Sequence, residues 1–566
     1  MIKKRIKILT KEFKKYKIDG YVVPKNDEFF SEYSENDRLK NISNFSGSAG
    51  YSIILKDKNY LFVDSRYTIQ AEKESGNNFQ ILDYHKIINC NLVKNLSLGL
   101  DPKIFTSEQM KKFFNKCKKI QIIEKNLIDE IYKKKSSSKK LFFSLDKKIV
   151  GEDYKKKISK IKKILNKNKS DYLFVTAPEN VAWLLNIRGW DNPNSPIPNC
   201  HLLLDKKNNL FLISKKNKVS QLIKEKKLKS SQIIDPKDFK DLILNLNGRR
   251  VIIDIKTCSV FYENILKEKF ELLKKEDPIY LLKSIKNKKE IKNMVNSHII
   301  DGVALTKFIY WIKNINKKKI TEFYAQNKLE YFRKKNKEYL YPSFNTIAGT
   351  AGNGAIVHYR ATKNNTKKIN KKDIFLCDSG GQYKYGTTDV TRTICFSKPK
   401  KNIKDIFTRV LKGHIAVVNS ELNKNTTGRI LDVKARKFLK EINLDYGHGT
   451  GHGVGFFSNV HEGPQAISKF NKIKICEGMI LSNEPGYYKK NKFGIRIENL
   501  MYVKKKKNKL YFENLTLAPI DNDLINFNLL TNNEKNYLLK YNINIYSKLY
   551  KHLNISEKKW LASFIQ

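Results

Sequence analysis

The sequence predicts an α/β protein built from consecutive units, the last of which has α+β character. The chain has 566 residues, which is too long for a single hydrophobic core. In its first half, short apolar runs alternate with Lys-rich amphipathic stretches, a pattern typical of alternating strands and helices. Hydrophobic residues make up 40% and aromatic residues 11% of the chain, which excludes a disordered protein.

Two polar breaks set the expected domain boundaries. The first, at 133–140, contains only Lys and Ser and has nothing apolar to bury. The second lies near 277–289, and a helical apolar pattern begins directly after it. The breaks therefore predict units at 1–135, 140–282 and 283–566. Within the last unit we expect a domain at 283–505, with 506–566 as an extension packed on it.

The elements of the first two units follow from periodicity. Apolar residues recur on one helical face at Ile6, Leu9 and Phe13 in the first unit and at Ile158, Ile161 and Ile164 in the second. Runs rich in β-branched and aromatic residues predict strands at 21–24, 51–55, 60–64 and 172–175.

The third unit begins helical and becomes rich in strands. A buried-strand pattern at 374–378 is followed by Gly380 and Gly381, which predict a turn, and by a returning strand at 387–393. Near the end of the chain, Thr531 and Glu534 form a capping-box pattern that predicts a helix.

The formal net charge of +55 is extreme and raises the question of a polyanionic partner. Nucleic-acid binders usually concentrate Lys and Arg on one element. Here the excess is almost all Lys, is spread over the whole chain and accompanies heavy use of Asn and Ile, as compositional bias in a coding sequence would produce. We therefore expect a solvated Lys-rich surface and no specific nucleic-acid partner, with polyanion binding as the alternative.

Cysteine usage and hydropathy indicate the compartment. The seven cysteines are odd in number and form no Cys-x-x-Cys pair, which disfavours a disulfide framework or a structural zinc site. The basic amino terminus lacks an apolar core of secretory length. No apolar run reaches the roughly 18 residues of a membrane span. We expect a cytoplasmic protein with no membrane partner.

Five residues carry the strongest chemical signal, and each lies inside a distinctive phrase. The phrases are CDSGG at 377–381, GTTDVTRT at 386–393, GHGTGHG at 447–453, SNEPG at 482–486 and IRIEN at 495–499. The candidate metal ligands within them are Asp378, Asp389, His452, Glu484 and Glu498. Strands about 4.8 Å apart can present carboxylates that bridge two cations about 3.5–4 Å apart. Isolated carboxylates are more often turn or surface residues, which is the alternative.

The histidines support a site. His448, His452 and His461 lie close together in a chain with nine histidines, and glycines alternate with the first two. Such a Gly-rich segment forms helices and strands poorly, so its backbone is expected to approach another group closely. A flexible loop with incidental histidines is the alternative.

The charge balance indicates cations. Glu484 precedes Pro485 and is held extended, and alternation places Arg496 and Glu498 on one strand face. Four buried carboxylates would repel one another and take up protons, whereas two divalent cations cancel their charge. Carboxylate-rich ligation favours cations such as manganese. A hydroxide bridging both cations would have a lowered pKa, so the pattern predicts a metallohydrolase.

At these phrases the chain closely resembles the Xaa-Pro aminopeptidases in their long, three-domain form, within the creatinase, prolidase and methionine aminopeptidase group, peptidase family M24. Further matching phrases are FSGSAG at 45–50, VDSRY at 63–67, AWLLNIRG at 182–189, VHY at 357–359 and VHEGP at 460–464. The resemblance implies two creatinase-like N-terminal α/β domains followed by a pita-bread catalytic domain. It also implies a homodimer.

The resemblance further implies an activity and residue roles. The enzyme would hydrolyse the Xaa-Pro bond at the amino terminus of peptides, with the five ligands holding two divalent cations, usually manganese. Glu484 would also exchange protons with the bridging hydroxide. His461 would stabilise the oxyanion, and His358 and His448 would hold the substrate. Arg496 would support the metal face.

Two departures and two alternatives accompany the resemblance. Asn483 and Tyr385 replace more polar residues of the family pattern, and we expect them to tune activity without abolishing it. Prolidase activity on Xaa-Pro dipeptides is one alternative. The other is a non-catalytic pita-bread protein that binds macromolecules, although such proteins typically lack some of the ligands. Methionine aminopeptidase is disfavoured because two predicted domains precede the catalytic one.

Overall fold

The computed structural model describes residues 2–132, 140–316 and 320–565. The chain divides into two compact units, 1–279 and 280–566. The predicted polar break at 133–140 lies, apart from Lys140, outside the described residues. Both units mix helices and strands, so the predicted α/β class is confirmed.

The first unit contains two six-stranded sheets with the same strand order and the same strand directions. In each sheet three antiparallel strands lie at the centre. One further strand pairs in parallel at one edge of these three, and two further strands pair in parallel at the other edge. The first sheet runs Gln80–Asp83, Asn59–Val63, Tyr51–Leu55, Gly20–Pro24, Ser97–Leu100 and Lys119–Ile122. The second runs Ile233–Ile234, Leu210–Ile213, His201–Asp205, Tyr172–Val175, Arg250–Ile253 and Glu271–Lys274. The four strands predicted here are therefore confirmed to within about a residue.

Amphipathic helices cover these sheets. The predicted first helix divides into Ile2–Lys11 and Phe13–Tyr16, and Leu9 and Phe13 are fully buried. The other α-helices of the first unit are Arg38–Ser43, Thr68–Ser75, Ser107–Phe114, Leu127–Ile131, Lys147–Val150, Tyr154–Lys167, Pro178–Leu185, Lys216–Lys224, Phe239–Asn245 and Val260–Lys267. A two-stranded ribbon pairs Phe143–Ser144 with Ile187–Arg188.

The second unit combines long helices with small antiparallel sheets. After the short helix Ile279–Ser284, its α-helices are Lys288–Asn314, Glu322–Lys334, Lys401–Val418, Gly428–Lys440, Asn532–Leu549 and Ile555–Ala562. Two three-stranded sheets are formed by Tyr339–Pro342, Gly381–Tyr383 and Gly386–Thr387, and by Ile347–Thr350, Phe375–Ser379 and Val390–Ile394. None of the helices in the described ranges has the length and apolarity needed to cross a bilayer.

The remaining strands of the second unit form one larger sheet and one ribbon. The five-stranded sheet runs Glu462–Ile467, Gly451–Gly453, Ile480–Asn483, Asn499–Lys506 and Lys509–Asn514, and the ribbon pairs Gly486–Lys489 with Phe493–Arg496.

The prediction that Asp378 and Asp389 lie on a simple hairpin is wrong for the residues between the two strands. Its outer strands, Phe375–Ser379 and Val390–Ile394, do pair antiparallel, but Asp378 opposes Thr391. Between them the chain leaves this sheet and adds two strands to another one. Asp389 therefore lies just before its strand and not within it.

The detour has a long-range cause. The side chain of Gln382 donates to the carbonyl of Ser458 over 2.8 Å, and the Thr387 hydroxyl accepts from the Ser458 backbone N–H over 3.2 Å. These partners are distant in sequence, so local strand propensity cannot encode the detour.

The carboxyl-terminal region packs on the strands of the second unit. The predicted capping box is confirmed, since Thr531 and Glu534 exchange side chain-to-backbone hydrogen bonds at the start of Asn532–Leu549. Ile545 on this helix is fully buried in the same apolar cluster as Ile495. This packing places the helix in the same core as the strand Phe493–Arg496, which carries part of the IRIEN phrase.

Arg392 joins this region to the strand Val390–Ile394. The side chain is buried, and all its described acceptors are neutral, although burying a charge is costly unless every donor is bonded. Its acceptors are the carbonyls of Thr391, Glu498, Ala518 and Pro519, the side-chain oxygen of Asn499 and the hydroxyl of Tyr541, at 2.6–3.1 Å.

We predict that Tyr541→Phe destabilises the second unit by about 1–3 kcal/mol, because its buried hydroxyl accepts from Nη2 of Arg392 and donates to the carbonyls of Thr516 and Ala518, and these bonds are lost. The measurement is urea unfolding of the full chain. Tyr550→Phe, at a residue that is 38% exposed, is the matched control and should leave the midpoint unchanged. Equal midpoints for the two variants would contradict the role assigned to the hydroxyl.

Candidate metal centre

The five candidate ligands come from different strands and converge in the second unit. Asp378 lies in Phe375–Ser379, Asp389 precedes Val390–Ile394, and His452 lies in Gly451–Gly453, while Glu484 and Glu498 follow strands that end at Asn483 and Arg496. Nε2 of His452 is 3.5 Å from Oδ2 of Asp389 and 3.5 Å from Oε1 of Glu484. Ligand atoms of Asp389, His452 and Glu498 lie within 4.8 Å of one another.

Asp378 belongs to the same cluster, as its electrostatic interactions with other members show. Its carboxylate interacts electrostatically with those of Asp389 and Glu484, and burial together with these neighbours raises the pKa of Asp378 to about 7. The pKa of Glu498 is also raised well above its usual range. Burial is the largest cause, and repulsion from Asp389 is the second. The pKa of Glu484 is raised mainly by burial. Carboxylates with raised pKa values lack sufficient positive charge nearby.

His452 is held as a ligand would be. Its Nδ1 donates to the carbonyl of Gly453 over 2.9 Å, so that Nε2 faces Asp389 and Glu484. This bond to a carbonyl is the usual way in which proteins orient a metal-binding imidazole. Burial opposes its protonation, but the two carboxylates outweigh burial and raise the pKa of His452 to about 9.

The donor set fits two divalent cations. Oδ1 of Asp378 is buried and has no hydrogen-bond partner within the described ranges. A buried carboxylate oxygen without a partner is costly and suits a cation ligand. Four carboxylates and one imidazole offer mainly hard oxygen donors, which suit cations such as manganese and magnesium better than thiolate-type zinc.

Neighbouring hydroxyls fix the carboxylates. Thr391 donates to Oε2 of Glu498 over 2.8 Å. Ser482 donates to Oε1 of Glu484 over 3.2 Å and accepts from the backbone N–H of His452 over 2.9 Å. The ligands are therefore held in place by groups on the strands themselves.

Arg496 begins a chain of bonds that leads away from the cluster. Its Nη2 donates to Oδ2 of Asp378 over 2.6 Å, and its Nη1 donates to the hydroxyl of Tyr488 over 2.6 Å. That hydroxyl in turn lies 2.8 Å from Nε2 of His448. Since Nδ1 of His448 is 2.7 Å from the Gly449 carbonyl, a neutral imidazole protonated at Nδ1 satisfies both contacts.

Tyr488 is not among the site residues predicted from the sequence. A usable signal existed, because Glu484, Gly486 and Tyr488 alternate along one extended segment and so share a face. Tyr488 therefore joins His448 to the arginine that holds Asp378.

The other predicted histidines occupy different positions. The His461 ring lies edge-on to the His452 ring, with centroids 4.3 Å apart, so His461 borders the cluster. His358 is half-buried in the connection after the 3-10 helix Ala351–Ala355. The next residue, Tyr359, donates to the buried carboxylate of Glu322 over 2.9 Å, which fixes this segment.

The two departures from the family pattern make contacts of their own. The side chain of Asn483 donates to the carbonyl of His414 over 2.9 Å. The Tyr385 ring packs edge-on against Phe457, with centroids 5.5 Å apart. Both described contacts are to residues outside the candidate ligand set.

The fold and the cluster together define a metallopeptidase, and comparison with protein families identifies which one. The model of Metallopeptidase family M24 matches 292–505, and that of the C-terminal region of peptidase M24 matches 508–565. The Creatinase/Prolidase N-terminal domain matches twice, at 5–130 and 133–290. The chain belongs to metallopeptidase family M24.

Known proteins resemble the chain over different lengths. Xaa-Pro aminopeptidase 1 of Dictyostelium discoideum is 34% identical over 100% of this chain and 96% of its own length. X-prolyl aminopeptidase of Caenorhabditis elegans, described as a cytosolic enzyme with a di-nuclear active site, has a TM-score of 0.92 at 28% identity and covers 100% of this chain and 99% of its own. Prolidase of Pyrococcus furiosus has a TM-score of 0.52 at 27% identity and covers 63% of this chain and 98% of its own.

We predict that Mn²⁺ binding to the metal-free protein releases protons near neutral pH. The raised pKa values of Asp378, of Glu498 and of His452, the last at about 9, mean that the metal-free cluster holds protons that the cation must displace. Release should decline as pH rises through about 9, where His452 loses its proton.

The measurement is isothermal titration of Mn²⁺ in buffers of different ionisation enthalpy. A His452→Gln variant, which has no titratable imidazole, should release fewer protons than the wild type. A binding heat that is independent of the buffer at all pH values would contradict the prediction.

Proposed function

We propose that this protein is a metal-dependent aminopeptidase that hydrolyses the Xaa-Pro bond at the amino terminus of peptides. The observation that carries the proposal is the convergence of four carboxylates and one imidazole in a chain of family M24. The full-length similarity to an Xaa-Pro aminopeptidase supports the substrate class.

In this proposal Asp378, Asp389, His452, Glu484 and Glu498 hold two divalent cations, which we take to be Mn²⁺. The four positive charges of two such cations balance the four negative charges of the ionised carboxylates. When bound, the cations act as Lewis acids that lower the pKa of water and polarise the scissile carbonyl. The di-nuclear active site of the C. elegans enzyme supports the number of cations.

Glu484 is the proposed proton carrier. An Xaa-Pro bond is a tertiary amide without an N–H, so the departing proline nitrogen must receive a proton. Oε1 of Glu484 lies 3.5 Å from Nε2 of His452 inside the cluster, so its carboxylate is placed to take a proton from the attacking water and deliver it to the proline nitrogen.

The surrounding side chains bind and orient the substrate. His461, next to His452, donates to the oxygen that becomes negatively charged at the scissile carbonyl. Arg496 holds Asp378 through a bond of 2.6 Å and so keeps the metal face in place. His358 and His448 hold the peptide on the proline side.

We also propose domains at 1–135, 140–282 and 283–505, with 506–566 as an extension, and a cytoplasmic homodimer. Two sheets of identical topology support the division of the amino-terminal part. The description of the C. elegans enzyme as cytosolic supports the location. The family resemblance is the support for the dimer.

We predict that the manganese-loaded protein cleaves Xaa-Pro-Yaa tripeptides in preference to Xaa-Pro dipeptides. The reason is the extent of the similarity. Xaa-Pro aminopeptidase 1 of D. discoideum matches 100% of this chain, whereas the prolidase of P. furiosus matches 63% of it. The measurement is release of the first amino acid, with Xaa-Ala-Yaa peptides as the control. Cleavage restricted to dipeptides would favour prolidase, and no hydrolysis by a fully metal-loaded protein would favour a non-catalytic binding protein.

We predict that Asp389→Ala and His461→Ala both lower activity, but that only Asp389→Ala also lowers metal content. Asp389→Ala should remove bound metal together with activity, because it deletes a ligand. His461→Ala should lower kcat by about 10²–10³ while metal content stays unchanged, as expected for loss of one oxyanion contact. Metal analysis and peptide hydrolysis measure both effects.

His552→Ala, an exposed histidine of the carboxyl-terminal region, is the control for these variants and should retain metal and activity. Full activity of the wild type after prolonged dialysis against a strong chelator would refute the metal mechanism.

A further inference from the structure

The segment that carries His448 lacks regular structure of its own. It joins the helix Gly428–Lys440 to the strand Gly451–Gly453 and contains Gly447 and Gly449. Glycines lose more backbone freedom on folding than other residues, so such a segment keeps one conformation only if outside groups hold it.

Two side chains of the helix Gly428–Lys440, Arg436 and Asp432, hold this segment. Arg436 donates from Nε to Oδ2 of Asp432 over 2.9 Å, one turn earlier on the same helix. Its Nη1 donates to Oδ1 of Asp445 and to the carbonyl of Tyr446, both over 2.7 Å. Its Nη2 donates to the carbonyl of His448 over 2.7 Å. One guanidinium therefore binds three successive parts of the segment.

The aromatic ring beside His448 is held by the same guanidinium. The central carbon of Arg436 lies 3.9 Å from the centroid of the Tyr446 ring, within the range of a cation–π contact. The Tyr446 ring lies 5.0 Å from the His448 ring. Tyr488 also contacts Nε2 of His448. The imidazole thus contacts two tyrosines, one of which Arg436 positions.

The far end of the segment is held by Asp432. Its Oδ1 accepts a hydrogen bond of 2.7 Å from the hydroxyl of Thr450. The carbonyl of Thr450 in turn accepts from the backbone N–H of Glu484 over 2.7 Å. The Asp432–Arg436 pair therefore fixes both ends of the segment that carries His448.

We propose that Arg436 is a positioning residue that sets the orientation of His448 for the peptide substrate. The proposal rests on the proposed function of His448. Arg436 acts through geometry, because its planar fork reaches Asp432, Asp445 and two carbonyls at once. Lysine keeps the charge but is a point donor on a flexible stem, so it cannot make these bonds together.

The test compares Arg436→Lys with Arg429→Ala in the full-length, manganese-loaded protein. Arg429 lies on the same helix and is exposed, so it is the matched control. Arg436→Lys should lower kcat/KM for Xaa-Pro-Yaa peptides by about 10²-fold, as a misplaced binding group does, with metal content unchanged. Arg429→Ala should retain wild-type kcat/KM. Wild-type kcat/KM in Arg436→Lys would overturn the proposal.

A double-mutant cycle separates positioning from a general structural role. If Arg436 acts through His448, Arg436→Lys should lower kcat/KM little further in a His448→Ala background. An equal fold-loss in both backgrounds would overturn the proposal.

A readout that needs no hydrolysis keeps the inference separate from the proposed function. The metal-free protein is used, because paramagnetic Mn²⁺ would broaden nearby signals. With histidine isotope labelling, the His448 ring signal is assigned by its loss in His448→Ala. It should shift in Arg436→Lys and stay in place in Arg429→Ala. An unshifted signal in Arg436→Lys would overturn the positioning role, even if the wild type hydrolyses peptides. If the signal shifts in Arg436→Lys but the wild type hydrolyses no peptide, only the proposed function is refuted.

Discussion

Electrostatic repulsion among Asp378, Asp389, Glu484 and Glu498 is the interaction on which the organisation of the second unit depends. Burial raises the pKa values of three of these carboxylates, which shows how unfavourable their ionised forms are without added positive charge. The protein supplies some of that charge through Arg496. Two divalent cations would supply the larger part, so the fold must hold these carboxylates together despite their repulsion.

Strands and buried hydrogen bonds provide the required rigidity. The hydroxyl of Thr391 holds Glu498, and Arg392, the next residue, binds the Glu498 carbonyl and the carboxyl-terminal region. The carboxyl-terminal region at 508–565 is therefore part of the support of the candidate metal centre. The Gly-rich segment around His448 has no such strand, and Arg436 on a neighbouring helix takes over its support.

Local features of the chain were predictable because they depend on neighbouring residues. The alternating apolar runs predicted Tyr51–Leu55 and Tyr172–Val175 with the observed bounds, and the capping box at Thr531 was confirmed. The hairpin around Asp389 was wrong because contacts with Ser458 draw its centre into another sheet. Such contacts join distant parts of the chain, which periodicity does not describe.

The sequence by itself determined the chemical types of the candidate ligands and the phrases that carry them, since these are properties of short segments. Only the tertiary structure decided which groups orient them. Tyr488 lies 40 residues from its partner His448, and Arg496 lies 118 residues from Asp378. These pairs form because packing of separate strands and helices brings them within hydrogen-bond distance, and no local pattern specifies that proximity.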